Sequence, residues 1–327
     1  MHRSRDLGPL AADWARAASP EPASCFQSFA LAQCWAAVFG GAVELRVWHA
    51  SAPAWILPWV IAGGTLSLLG HGLFDYADVI AAPEAAGALQ ALIPGLAARL
   101  GAEPGWERME IRAVPGDSPF LEFWRGLAAA LAAAGRTAVL EPYSAAPRLL
   151  RREDAPVTPE TFDALHRRAA ARLRQSLRRG RLGPITDPAR RQEWLVWMLA
   201  QKDLRLQLRG QSNVLRQTEE EWLQAMARRH PQLAEIWGYA CETRRMAGFL
   251  TFLTPAVRYG YLLAFDPAAA RCSPAIALLY FVLRRTVGEG REFDFLTGEQ
   301  AYKLRFANAA RRLWRLRVSS TLAANFP

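Results

Sequence analysis

The sequence predicts an α/β (α+β) chain built as two similar halves, each a mixed, mostly antiparallel sheet flanked by helices. Three observations predict it. Residues 26–145 alternate strand and helix patterns in the order strands, helix, strand, helix, strand. Residues 231–320 run three strands, a buried helix, a strand, a helix and a last strand. Between them, residues 146–230 read as a linker and an Arg-rich helical segment. No sequence repeat links the halves, so their kinship rests on element order alone. A chain of 327 residues is long enough to bury two cores.

Residues 1–25 read as a lead-in with one short helix. Gln33 to Phe39 is helical and ends at Gly40-Gly41. Val43 to His49 and Trp55 to Ile61 are strands, Gly63-Gly64 is a hairpin turn, and Thr65 to Leu69 is the returning strand. Pro83 to Leu100 is a helix with Pro near its start and Gly101 after its end. Glu107 to Val114 is a strand, Ser118 to Ala134 a helix and Thr137 to Leu140 a strand. Residues 143–158, with several Pro and Arg, read as a linker. Helices follow at 159–180, 188–208 and 216–229. Then come strands at Glu235 to Cys241, Met246 to Leu253 and Val257 to Phe265, the last closed by Asp266-Pro267. Leu313 to Val318 can close the sheet of the second half, and 321–327 is a tail.

Composition excludes several classes. Hydrophobic residues at 51% and charged ones at 21% describe a globular chain, not a disordered one. The cysteines Cys25, Cys34, Cys241 and Cys272 form no paired motif, and no His cluster accompanies them, so neither a zinc site nor a disulfide framework is expected. Reduced thiols and no secretory h-region before residue 26 lead to a cytoplasmic expectation. Ala52 to Leu69 is apolar, yet Pro53, Pro58, Gly63 and Gly64 interrupt it, so it reads as strands and not as a membrane span. The net charge of +10 favours anionic partners. From Arg148 to Arg191, 12 arginines stand against five acids. This stretch is either a weak contact for a polyanion, tRNA or an anionic membrane, or the solvated face of a surface helix. No aromatic residue interleaves between Arg167 and Arg181, as a single-strand binder would need.

The stretch Arg271 to Phe306 carries the chemistry. Ser273 suits an N-cap and Pro274 a first helical position, and Ala275 to Val287 is a buried helix stopped by Gly288 and Gly290. Glu292 to Leu296 is a short strand, Thr297-Gly298 a turn, and Glu299 opens a second helix. The start of the first helix, with Arg271 beside it, suits a pyrophosphate as well as it suits plain capping. On the second helix Glu299, Tyr302, Lys303 and Phe306 fall at i, i+3, i+4 and i+7 and share a face. Glu299 with Lys303 also reads as a helical ion pair, and Tyr302 as a packed aromatic.

Phe293-Asp294-Phe295, Gly298-Glu299, Tyr302-Lys303 and Phe306 resemble the signature of GNAT-type acyltransferases related to the cellulose-biosynthesis protein CelD. Cys272-Ser273-Pro274 resembles that family's helix opening, and Asp75-Tyr76-Ala77-Asp78 its N-terminal acidic element. The resemblance runs from about Phe26 to Val318. It implies tandem GNAT-like domains, as in Fem-type transferases, and an acetyl-CoA or other acyl-CoA co-substrate with no metal. It places the pyrophosphate at Arg271, Cys272, Ser273, Pro274, Ala275 and Ile276, and the thioester between strands at Tyr259–Phe265 and Glu292–Leu296. It makes Tyr302 the acid for the thiolate, Lys303 an orienting cation, Asp294 a base and Glu299 a further catalytic candidate. Asp75, Tyr76 and Asp78 would line an acceptor cleft, or Asp would cap a turn there. The implied acceptor is a small molecule or glycan, a sugar or cell-envelope precursor. Two alternatives stand beside acyl-CoA transfer. One is an aminoacyl-tRNA-dependent Fem-like transferase, motivated by the Arg-rich segment. The other is a non-catalytic GNAT-fold binding protein in polysaccharide biosynthesis, motivated by Ala275 where the family has Gly.

Overall fold

The computed structural model describes residues 2–18, 24–151, 157–208, 210 and 217–319. The expected tail at 321–327, the later part of the linker, and Arg152, Glu153 and Asp154 lie outside them. In chain order the elements are β1 (His2–Ser4), α1 (Ala11–Ala17), α2 (Phe29–Phe39), β2 (Glu44–Ser51), β3 (Ala54–Ala62), β4 (Thr65–Leu68) and β5 (Ile80–Ala81). Next come α3 (Ala86–Ala102), β6 (Arg108–Pro115), α4 (Leu121–Ala133), β7 (Thr137–Leu149), α5 (Pro159–Leu165), α6 (Arg167–Arg179), β8 (Arg181–Pro184), α7 (Pro188–Gln207) and α8 (Gln217–Arg229). The last are β9 (Ala234–Cys241), β10 (Arg244–Leu253), β11 (Val257–Phe265), α9 (Pro274–Gly288), β12 (Glu292–Asp294), α10 (Ala301–Leu304) and β13 (Ala309–Ser319). The chain divides into two compact units, Met1–Ala145 with Arg311–Pro327 and Ala146–Ala310.

In the first unit β2 and β3 form a hairpin in register from Glu44↔Ile61 to Ser51↔Ala54. Gly63 and Gly64 turn β3 into β4 with φ of +52° and +71°, the geometry of a tight primed turn that other residues resist. β6 joins parallel to β4, then β13 antiparallel to β6. Thus the strand expected at Leu313–Val318 forms, and it pairs along β6 within the first unit. In the second half the free edge of β12 is already taken by Arg148 and Leu149 of β7. The core of this unit is a tryptophan stack: Trp59 meets Trp48 and Trp124 edge-on at 6.1 and 6.2 Å. The lead-in is not loose, because Trp14 of α1 is buried and donates to the Gln27 carbonyl at 2.7 Å.

The second unit orders its strands β7, β12, β11, β10, β9, β8. Successive residues of a strand face opposite ways. Ala247 and Phe249 of β10 join the core built on Leu278, Leu279, Val282 and Leu283 of α9. Gly248 between them faces α7 instead. A Cβ there would stand 2.5 Å from Met198, and one on its ladder partner Gly238 would stand 3.0 Å from Trp194. The glycine pair lets α7 approach the sheet closely while α9 covers the other face.

Several expected elements differ in extent. The helix read at 159–180 breaks at His166 into α5 and α6, where the backbone leaves helical space at ψ +43°. The strand at Thr137–Leu140 runs on to Leu149, through residues read as linker. The strand at Glu292–Leu296 stops at Asp294, because Leu296 takes φ +60°. Glu299 does not open the following helix, which starts at Ala301 and has four residues. Among the described residues, no helix is long and apolar enough to cross a membrane.

Candidate active site

β11 and β12 run parallel for three residue pairs, Val257↔Glu292, Arg258↔Phe293 and Tyr259↔Asp294. Then they part. β12 ends, while β11 continues to Phe265 against β10 alone among the described strands. The cause is local. The β10–β11 register slips between Thr251↔Gly260 and Leu250↔Leu262, which leaves Tyr261 as an extra residue on β11. Such a bulge bends its strand and unpairs backbone groups. Gly260 stands at this point because a Cβ would meet ring carbons of Phe249 and Phe293 at 2.8 Å. The parallel pairing therefore ends at Tyr259↔Asp294, and the extra residue on β11 lies two positions further on.

The start of α9 follows β11. Residues Pro267–Cys272 form a 3₁₀ turn capped by Asp266, whose carboxylate accepts from the Ala268 amide at 2.9 Å and from Arg244 Nε at 2.8 Å. Arg271 and Cys272 are exposed, Ala275 and Ile276 half-buried and Pro274 buried. Ser273 is not the side-chain cap its type suggests: it sits in the left-handed region at φ +48°, and its side chain caps nothing. Its carbonyl takes the Ile276 and Ala277 amides at 3.2 and 3.3 Å, its own amide goes to Ala270, and Pro274 has no N–H. Among the described residues, the Ala275 amide is the one N–H of this first turn that no hydrogen bond uses.

The residues after β12 are held firmly. Asp294 is fully buried, accepts from the Leu296 amide at 2.8 Å and lies 3.5 Å from Arg148 Nε. Lys303 is buried and donates to the carbonyls of Leu296 and Thr297 at 3.2 and 2.8 Å. These two groups fix the left-handed turn that ends β12. Glu299 is exposed and precedes α10, so the helical face it was expected to share with Tyr302, Lys303 and Phe306 is not formed. Tyr302 is half-buried against the core. Burial raises its hydroxyl pKa above the usual tyrosine value, and Arg205 of α7 pulls it the other way. Arg205 also lies over the ring of Phe265, at the far end of β11, 5.7 Å from its centroid.

The Asp75-Tyr76-Ala77-Asp78 element lies in the first unit. It brings Tyr76 and Asp78 into a small cavity of about 90 Å³ with Ser24, Ser118 and Arg311. Asp78 is fully enclosed, bonded to the Ser118 hydroxyl, to Trp124 Nε1 at 2.8 Å and to the Val79 amide at 2.8 Å. Burial pushes its carboxyl up to about 6, against the pull of those donors. Arg311 lies over the Tyr76 ring at 5.2 Å and pairs with Asp117 at 2.9 Å. Asp75 is half-buried and outside the cavity wall.

Sequence reasoning missed the bulge at Tyr261, Arg205, and the Ser118 and Trp124 partners of Asp78. The first had no signal, since a bulge leaves a strand pattern unbroken. Ser118 was read as a helix start, and its hydroxyl does accept the Phe120 amide at 2.9 Å.

Residues 162–304 match the family model of the acetyltransferase (GNAT) domain. This stretch holds the splayed strands, the start of α9 and α10. No curated protein matches the sequence. Among solved structures the chain is similar to FemX, with a TM-score of 0.63 at 10% identity over 97% of each chain. It is similar to L-PGS from Bacillus licheniformis, with 0.61 at 11% identity over 98% of this chain and 93% of that one. It is also similar to a C-terminal domain assigned to a lysylphosphatidylglycerol synthetase from Agrobacterium fabrum, with 0.57 at 12% identity over 95% and 93%. At such identities the likeness is one of fold, and it extends over both units. The chain thus has a GNAT-type acyltransferase fold, and its stretch 162–304 is similar to the acetyltransferase (GNAT) domain.

Proposed function

We propose that the chain is an acyl-CoA-dependent N- or O-acyltransferase acting on a sugar or cell-envelope precursor, as its resemblance to the CelD-related enzymes implies. The observation that carries this reading is the parting of β11 and β12 at a bulge. A carbonyl lying along β11 there meets backbone N–H groups released from the ladder, which are fixed donors for a developing oxyanion. The acceptor's amine or hydroxyl attacks that carbonyl, and the thiolate leaves. Tyr302 gives the leaving sulfur its proton, its raised pKa keeps it protonated at neutral pH, and the proton that the acceptor loses on forming the new bond returns to the tyrosinate. Asp294 and Lys303 serve here as positioning residues, because both hold the turn that ends β12. Arg271, Cys272 and the Ala275 amide would face the pyrophosphate. With one unused amide, that start contributes less than a glycine-rich cradle would.

The test is release of free thiol from acetyl-CoA by the purified chain with amino-sugar acceptors. Tyr302→Phe is expected to lower kcat about 10²-fold or more with KM little changed. Unchanged turnover removes that role, and no thiol release together with no thermal shift on adding a CoA ester overturns the reading. A second reading, aminoacyl-tRNA as donor, is favoured by α6, which carries six arginines and no acid. Filter binding of tRNA across a salt series decides it, since phosphate contacts must weaken steeply with salt. Failure of both donors leaves a GNAT-fold binding protein in polysaccharide biosynthesis.

A further inference from the structure

A groove of about 600 Å³ runs between α6 and α9 in the second unit. Its walls are helical stripes. Leu173, Arg174 and Leu177 come from α6; Phe281, Arg284 and Arg285 come from α9 at i, i+3 and i+4. The floor is apolar and the rim cationic. Two carboxylates also reach it, but donors already engage both. Asp163 accepts from the Tyr280 hydroxyl at 2.7 Å and from Arg284 at 3.1 Å. Glu289 accepts from Arg285 at 2.8 Å and from the buried Arg258 at 3.0 Å. Among the described residues no ion pair engages Arg174, which is exposed. Arg284 and Arg285 are offset by these acids in turn, so the charge the rim presents to whatever enters is that of Arg174.

The rest of the face continues this character. The six arginines of α6 all lie on its exposed side, and the helix carries no acid to offset them. One leucine stands out among them: Leu177 is 48% exposed at the groove. Arginine alone would suit any polyanion. An exposed leucine beside an apolar groove gains nothing from a phosphodiester backbone, and among the described residues the one aromatic ring in the groove lining, Phe281, is half-buried. A hydrocarbon layer beneath phosphate groups satisfies both features at once.

We propose that the α6–α9 groove seats an anionic phospholipid, acyl chain on Leu173, Leu177 and Phe281 and phosphate against Arg174 and Arg284, and so docks this face on an anionic membrane surface. The assignment does not depend on the transfer chemistry. The test uses the purified full chain with two probes: monomeric dihexanoyl-phosphatidylglycerol, and phosphatidylcholine vesicles with and without phosphatidylglycerol. The expected result is saturable binding of the monomer and flotation only with the anionic vesicles. Arg174→Gln should weaken both about fivefold. Leu177→Ser, at a partly exposed position, should weaken both about tenfold. Arg172→Gln, exposed on α6 but outside the groove, should leave the monomer's affinity unchanged. Equal flotation with phosphatidylcholine alone overturns the proposal, as does an Arg172→Gln loss in the monomer assay equal to that of Arg174→Gln. Salt-dependent binding of bulk tRNA with no vesicle binding assigns the face to RNA instead.

Discussion

The two units lay down the same sequence of parts and finish them differently. In the first, the β3–β4 pair leads through α3 to β6, parallel to β4; in the second, β10–β11 leads through α9 to β12, parallel to β11. In the first unit β4 stops at Leu68, and the chain doubles back to place Asp78 among Ser118, Trp124 and the Val79 amide. In the second, β11 bulges at Tyr261 and runs on beyond its parallel partner. The first unit surrounds a buried acid with neutral donors. The second surrounds a buried base with acids and leaves its strands apart. The same frame thus yields a closed network in one unit and strands that stop pairing in the other, which is why the proposed transfer chemistry is placed in the second.

The largest test of this contrast is Arg258. It is fully buried, with Glu235 and Glu289 each at 3.0 Å, the Thr286 hydroxyl at 2.6 Å and the Trp237 ring beneath it. Arg258→Met leaves two acids short of their shared partner and is expected to cost about 3–5 kcal/mol in urea unfolding. Adding Glu235→Gln should recover part of it, since neighbours in one network are not additive. A loss under about 1 kcal/mol would show that the second unit does not lean on this cluster.

Next comes Asp78. Its carboxyl titrates near 6 when folded, against 3.8 as the ordinary value. The folded chain therefore binds the proton more tightly than the unfolded one. The stability this contributes is complete below the unfolded value and is lost as pH rises through about 6, a swing of about 3 kcal/mol. Asp78→Asn should flatten that pH profile and exceed the native chain in stability at neutral pH. A profile that keeps its slope in the variant would mean another group carries the effect.

These two residues also show where the sequence was readable. Strand and helix order follows from periodicity and from turn residues such as Gly63-Gly64, and those elements were legible. Asp78 is bonded to residues 40 and 46 positions away, a pairing that no local pattern encodes. Arg258 interrupts an apolar run and looks like a solvent-facing charge until the fold brings Glu235 and Glu289 to it. The site was half legible. Its motif fixed the segment, but Lys303 and Asp294 turn out to grip backbone. The glycine beside the β11 bulge is required by the rings of Phe249 and Phe293, which a Cβ at residue 260 would meet at 2.8 Å, a tertiary cause.

A smaller effect is expected at Lys303. Removing its ammonium leaves the Leu296 and Thr297 carbonyls without that donor inside the fold. Lys303→Met is expected to cost about 2 kcal/mol. Because this turn ends β12 where the strands part, the variant should also lower turnover. A variant with lost turnover, full stability and unchanged substrate affinity would instead make Lys303 a group that touches the reacting atoms.

The smallest expected effect separates the motif from the helix it suggested. Glu299 and Lys303 lie four apart, and on a continuous helix they would form an ion pair worth a few tenths of a kcal/mol. The helix starts after Glu299, and the Lys303 ammonium faces carbonyls, so that pair is not formed. Glu299→Gln is therefore expected to change stability by less than about 0.5 kcal/mol, with no dependence on salt. If Glu299 nonetheless takes the acceptor's proton, Glu299→Gln lowers kcat. An unchanged rate removes Glu299 from the chemistry and leaves Tyr302 as the side chain of the motif to which the proposed proton transfer is assigned.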